Sequence, residues 1–429
     1  MHPLLRNPVF TRLYPAQVIS LAGTGLMTVA LGLLAYDLAG TDAAQVLGTA
    51  LAIKMVAYVA MAPLMRALVT RLPATGVLIG ADVVRVGMAA CLPWVTGTWQ
   101  IYLLIFALQT ASATFTPTFS AAIARVVPDR DQYTVAVSAS RIAYDLEALT
   151  SPLLAGVALL VLPYSALFAF TAAGFAASAL LVAGSGLRRL DRSDPPALPD
   201  DTGTVADRIL RGIRIMLSRR SLRGLIWIDV AVAAATAIVL VGTVGYVRGD
   251  LGADDTAVAL ALAAFGIGSL ATTFTVPMML RRFGPMRVMV AGAALATTGL
   301  AITTAWSYTG PQPTALFGTW VVLGVATSMI GTTIPRTIRD HTDADRDDVF
   351  TAQFSTSHAA FLLTYAIAGW GPALIGTAAA VGVLALLGAA ATVGAARCWR
   401  RVTAPNVPAA GIDSPTMDPT VCARQPATR

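Results

Sequence analysis

Lysine occurs once in 429 residues, at Lys54, and only 12% of the chain is Asp, Glu, Lys or Arg. A water-soluble domain needs more charge than this to cover its surface, so a soluble fold is excluded. The lone lysine sits in Ala-Ile-Lys54-Met, whereas a Walker A phosphate loop requires Gly-Lys-Ser/Thr; this argues against ATP hydrolysis by the chain. The three cysteines, Cys91, Cys398 and Cys422, have no paired spacing. Neither a disulfide framework nor a CxxC metal site is therefore indicated. No concentrated set of nucleophiles or metal ligands is visible, so no enzyme activity and no cofactor are expected. The formal net charge is +7, but the arginines fall in short clusters between apolar runs. That is the pattern of membrane loops and not of a nucleic-acid surface.

Apolar residues dominate: 56% of the chain is hydrophobic and its mean hydropathy is +0.69. A helix needs about 20 apolar residues to cross the hydrocarbon layer. Such runs lie near 13–38, 46–69, 76–94, 100–124, 133–161, 165–187, 222–246, 257–280, 288–306, 315–334, 350–370 and 374–396. The expected fold is an all-α membrane protein of twelve spans. The first run is too long for a signal-peptide core and no cleavage site follows it, so it is read as a retained span.

Arginine orients these spans. One set of loops holds Arg66 and Arg71, Arg125 and Arg130, Arg281, Arg282 and Arg287, and Arg336, Arg339 and Arg346; the alternate set holds only Arg248. Positive charge stays inside, which predicts a multi-pass protein of the inner cell membrane with both termini cytoplasmic. Trp94, Trp99, Tyr164, Tyr246, Trp306, Tyr308 and Trp370 are then all expected at the outer interface.

The expected organisation is a first six-helix bundle over 1–187, a cytoplasmic linker over 188–221, a second bundle over 222–396 and a disordered tail over 397–429. In the linker, Pro195-Pro196 marks a flexible stretch, and Val205, Ile209, Ile213, Met216 and Leu217 share one helical face. With Arg208, Arg211 and Arg214 flanking it, that helix suits either the anionic inner leaflet or packing on the protein. The halves look like copies: Tyr133-Thr-Val-Ala-Val-Ser-Ala-Ser-Arg141 matches Phe350-Thr-Ala-Gln-Phe-Ser-Thr-Ser-His358. Tyr36 precedes Arg71 by the same interval as Tyr246 precedes Arg281. Parallel repeats of six spans put a substrate path between the halves.

With these features the chain resembles the major facilitator superfamily. The stretch Arg66-Ala-Leu-Val-Thr70-Arg71 stands where that family carries a latch loop after its second span, keeping Arg71 and losing the Gly, the Asp and the trailing arginines; Arg281-Arg282-Phe-Gly284 is its counterpart. Ser151-Pro152-Leu-Leu-Ala155-Gly156 is similar to the Gly-Pro-x-x-Gly-Gly element of the family's exporters, with Gly371-Pro372 at the matching place. Leu31–Gly40, Ser140–Glu147 and Ala352–His358 look most like the bacterial nickel-resistance permease branch, although the tail holds no histidine. The resemblance implies a monomeric secondary transporter that carries a small solute or ion outward against protons. Nickel and an amphipathic organic compound are both candidate cargoes, and a non-transporting sensor is a third reading.

Ionisable groups at membrane depth are costly and mark function or pairing. Arg141 and Asp145 are four apart and suit a local ion pair, whereas Glu147 points elsewhere around the helix and is the candidate proton carrier, with Asp229 as the alternative. His358, the twin of Arg141, is read as a substrate-path residue or metal ligand, or as a packed core histidine. Asp82 and Arg85, three apart, make a structural or gating pair. Gln17, Gln109 and Gln353 are polar glue or substrate contacts. Lys54 needs a carboxylate partner that the sequence does not identify.

Overall fold

The computed structural model describes residues 6–69, 72–127, 129–193, 205–310, 312–342 and 345–400. They form fifteen α-helices and, among the described residues, no strand: α1 (Phe10–Ala39), α2 (Ala43–Val69), α3 (Ala74–Cys91), α4 (Thr98–Val126), α5 (Arg130–Leu159), α6 (Tyr164–Gly184), α7 (Leu187–Ser193), α8 (Val205–Ser218), α9 (Arg220–Ala237), α10 (Asp255–Phe283), α11 (Pro285–Thr309), α12 (Pro313–Gly331), α13 (Ile334–His341), α14 (Arg346–Ile375) and α15 (Thr377–Trp399). Twelve of these are long, and they coincide with the twelve expected spans to within a few residues at most ends. Nine described stretches are long and apolar enough to cross a membrane, the first running from α1 into α2. Past Ala237, α9 continues in wider π-helical turns to Asp250.

Short connections punctuate the run. Gly40, Gly284, Gly310 and Gly376 take positive φ, which glycine adopts without strain, and Pro285 and Pro313 open the helices that follow. Asp129 and Asp254 cap α5 and α10 by accepting from the N–H groups of Gln132 and Ala257 at 2.9 and 3.0 Å. At the arginine-rich end, Asp191 of α7 accepts from Thr75 N–H (3.0 Å), Thr75 Oγ1 (2.7 Å) and Arg125 (2.9 Å). Burial works to raise this carboxyl, but the Thr75 and Arg125 bonds together hold it below the usual carboxylate range.

In the first half, α1 packs on α5 and α6, α3 on α4 and α6, and α2 on α4. In the second, α9 packs on α14 and α15, α11 on α12 and α15, and α10 on α12. Counting spans, each contact recurs six spans later, as a pseudo-symmetric pair of bundles requires. The halves meet through α5 with α10 and α2 with α14, which are again one contact and its symmetry mate.

One expectation needs correction. Tyr246 and Trp306 are buried and pack with Trp320 in an aromatic cluster, with centroids 4.9 to 6.3 Å apart and Tyr246 edge-on to both indoles. They belong to the second bundle's core, unlike Trp94, Trp99, Tyr308 and Trp370, which are exposed. The linker helix α8 packs on α9 and α14, one of the two settings expected for it. Met216 is fully buried against Leu222, Val349 and Ala352, while Leu217, assigned to the same face, is exposed. The Pro195-Pro196 stretch, Arg71 and residues 401–429 lie outside the described residues.

Candidate functional site

Lys54 lies near the middle of α2, and Glu147 of α5 is the carboxylate within its electrostatic range. Both are partly accessible. Glu147 also neighbours α1, where a Cβ added at Gly25 would come within 2.9 Å of its Oε1 and would overlap Ser151. Only glycine lets α1 approach α5 so closely. Tyr365 of α14, buried, lies in the electrostatic field of the same carboxyl. One carboxylate thus lies within electrostatic range of a cation in its own half and of a phenol in the other.

A second group sits on the α2–α14 seam. The His358 and Phe354 rings are 3.8 Å apart at their centroids, and Tyr58 of α2 lies 5.7 Å from His358 and 6.2 Å from Phe354. His358 Nδ1 is 2.7 Å from the Phe354 carbonyl. Among the described residues no three His, Cys, Asp or Glu side chains gather to hold a metal, at His358 or elsewhere.

Asp82, Arg85 and Asp229, also at membrane depth, are held by neighbouring helices of their own bundles. Asp82 and Arg85 form a fully buried ion pair on α3, and Arg85 also donates to Ser20 Oγ at 3.0 Å. The guanidinium lies over the rings of Phe115 (4.3 Å) and Phe175 (4.5 Å), so it ties α3 to α1, α4 and α6. Asp229 of α9 accepts from Gln353 Nε2 at 2.5 Å and Thr356 Oγ1 at 3.0 Å, both on α14. Gln353 thus bridges α14 to α9 through its Nε2, while its Oε1 is buried with no partner among the described residues. Gln17 and Gln109 are buried, and the Oε1 of each has no partner among the described residues.

A clasp joins the halves at the end opposite the arginine clusters. Arg248 donates to Asp37 at 2.7 Å, lies 3.3 Å from Asp255, and stacks over Tyr36 at 4.7 Å; Tyr164 donates to Asp37 at 2.6 Å. Below it, Gly48 meets Gly369 and Tyr365 backbone to backbone, and a Cβ at Gly156 would reach within 2.5 Å of the Ala259 carbonyl. A cavity of about 290 Å³ lies beside the clasp, bordered by Tyr36, Tyr246, Asp250, Pro372 and Leu384.

This twofold arrangement matches what sequence comparison finds: the profile described as Major Facilitator Superfamily matches residues 13–247 and again 226–414. The chain belongs to the major facilitator superfamily. It is a multi-pass membrane transporter of that kind. Solved structures of the same fold include a nucleoside transporter, NupG, at 14% identity and TM-score 0.65, covering 91% of this chain and 99% of that one. A POT family transporter in complex with 5-aminolevulinic acid follows at 12% identity and TM-score 0.63, covering 90% and 94%. The peptide transporter POT in complex with sulfate has 12% identity and TM-score 0.65, covering 92% and 95%. No curated protein is significantly similar in sequence.

Of the superfamily marks, Gly156 stands at the α5–α10 close approach. Arg281 and Arg282, the counterpart of the latch, are exposed at the end of α10, and Arg282 lies 5.4 Å over Phe283. The side chains of Arg141, Asp145 and Pro152 lie outside the described residues. The superfamily member's clasp at Arg248 escaped the sequence reading. Its signal was present, because Arg248 is the single basic residue of its set of loops.

Proposed function

We propose that this superfamily member is a proton-coupled exporter of a small amphipathic organic solute, with Glu147 as the proton-carrying group and Lys54 as its counter-charge. The observation that carries this reading is that Glu147 lies within electrostatic range of both Lys54 of its own half and Tyr365 of the other. With Glu147 ionised, the pair is electrically neutral. A proton on the carboxylate leaves the Lys54 ammonium uncompensated, so the energy of the site depends on whether water reaches it. Rocking of the halves, 1–187 against 222–396, would alternate that access. The faces of Tyr58, Phe354 and His358 supply an apolar surface with polar edges for an organic cargo. A divalent metal has no comparable support, since no ligand set gathers among the described residues.

The arginine-rich loops orient both termini toward the cytoplasm of the inner cell membrane. In that orientation the Asp37–Arg248 clasp and the Gly48–Gly369 approach close the outer side. Export as the direction rests on the exporter-like element from Ser151 to Gly156. A growth-inhibition panel of metals beside antibiotics, in cells lacking or overproducing the protein, identifies the cargo. Purified protein in proteoliposomes under an imposed pH gradient then tests the coupling. Wild type should accumulate the cargo against its gradient, and Glu147→Gln should bind it but not accumulate it. Wild-type accumulation by Glu147→Gln would remove Glu147 from the mechanism.

A further inference from the structure

At the arginine-rich end of the second half, the start of α9 and the end of α15 lie side by side. Arg220 and Arg223 from α9, with Arg397, Cys398 and Arg400 from the end of α15, line a recess of about 730 Å³. Rigid packing fixes its walls. Trp399 is buried, its Nε1 donates to the Ser221 carbonyl at 2.9 Å, and Gly224 lies against its indole so closely that a Cβ would overlap it.

Four like charges around one recess repel one another, and among the described residues no carboxylate pairs with any of them. Neighbouring arginines differ: Arg211 pairs with Asp348 at 3.1 Å and Arg219 with Asp345 at 2.9 Å. The Nε of Arg223 is moreover buried with no acceptor among the described residues. The first N–H groups of α9 have no side-chain cap and add a positive helix end to the same place. Forked donors converging from two helices suit the several oxygens of a phosphate group.

The recess lies where two membrane spans end, which is headgroup depth. Beside it, α8 packs on α9 and turns Leu210, Arg214 and Leu217, one turn apart on a single face, outward; the two leucines are 59% and 51% exposed. Such a face suits the boundary between headgroups and acyl chains. We propose that the recess binds the phosphate headgroup of an anionic phospholipid from the leaflet at the arginine-rich end.

Native mass spectrometry of the full-length protein, delipidated and titrated with phosphatidylglycerol or with phosphatidylcholine of the same chains, tests this. Phosphatidylglycerol should be retained and should raise the thermal midpoint, while phosphatidylcholine should do neither. Arg220→Gln/Arg397→Gln/Arg400→Gln changes three exposed residues and should lower phosphatidylglycerol occupancy at least tenfold. The control Arg281→Gln/Arg282→Gln should leave it unchanged. Equal retention of the two lipids by wild type would overturn the proposal, and so would wild-type occupancy in the triple variant. Protection by inorganic phosphate equal to that by the lipid would assign the recess to free phosphate and overturn the lipid reading. Because wild-type lipid selectivity is read separately, a poorly folding triple variant leaves the proposal open to refutation.

Discussion

The two halves share one arrangement of helices but not one distribution of charge. In the register set by Tyr36 with Tyr246 and Arg71 with Arg281, Lys54 falls opposite Ala264. In the register of Tyr133 with Phe350, Glu147 falls opposite Thr364, whose hydroxyl is satisfied by the Ala360 carbonyl at 3.0 Å. The first half also buries the Asp82–Arg85 pair, whereas the second secures Asp229 with a neutral amide and a hydroxyl. A duplicated scaffold does not need a duplicated mechanism. Where two copies alternate about one path, a single titratable site on one side serves both motions, and the other copy is free to become plain packing.

The sharpest way to break this comparison is at the charged pair. Lys54→Met should abolish gradient-driven accumulation as fully as Glu147→Gln does, because each leaves one charge without its partner. Lys54→Met/Glu147→Gln should regain most of the thermal stability lost by either single change while remaining uncoupled, since removing both charges removes the cost of burying one alone. Flux assays paired with thermal melts read both quantities. A coupled double variant would show that proton movement does not use this pair, and would dissolve the asymmetry drawn here.

Next in size is Arg85→Met. Its partner Asp82 is fully buried, and stranding a buried charge costs about 3–5 kcal/mol. We expect a large fall in thermal midpoint and in yield, with coupling intact in whatever protein folds. Asp229→Asn is milder. The amide keeps one acceptor for Gln353 or Thr356 and loses the charge-assisted strength of both bonds, about 1–2 kcal/mol. It should lower the melt modestly and leave accumulation near wild type. Lost accumulation in a normally stable Asp229→Asn protein would put chemistry back into the second half.

Much of this scaffold was legible in the chain because its signals are local or periodic. Apolar run lengths set the spans, and a repeated motif such as Tyr133–Arg141 with Phe350–His358 exposes the duplication. What was not legible depends on how one helix is rotated against another. Lys54 and Glu147 lie far apart in sequence, and only the packing of the helices brings them within electrostatic range of each other. Hydropathy likewise cannot separate an interfacial Trp370 from a core Trp306, because both end apolar helices. The two donors to Asp229 were hidden for the same reason: they lie on α14, more than a hundred residues away.

The smallest expected effect concerns the clasp, and it sharpens the comparison by asking how firmly the halves are held together. Arg248 and Asp37 are 28% and 36% exposed, so their ion pair is worth at most about 1 kcal/mol. That is too little to change folding measurably, but about 1 kcal/mol is a roughly fivefold change in the ratio of two conformers. The clasp spans the halves, with Asp37 and Tyr164 on one side and Arg248 and Asp255 on the other, so its energy belongs only to the form in which this end is shut. Arg248→Gln should therefore shift the population toward opening at the Asp37 end while leaving the melt within about a degree of wild type. A reporter cysteine at Thr41, which borders the cavity beside the clasp, reads this in a background lacking Cys91, Cys398 and Cys422. Its labelling by a membrane-impermeant thiol reagent should rise severalfold in Arg248→Gln. It should return toward the starting value with Arg248→Lys, which keeps the charge on Asp37 but loses the flat stacking on Tyr36. Unchanged labelling in Arg248→Gln would mean that the glycine approaches at Gly48–Gly369 and Gly156–Ala259 close this end unaided. The lone arginine of its loops would then be a passenger on a seam made by backbone packing.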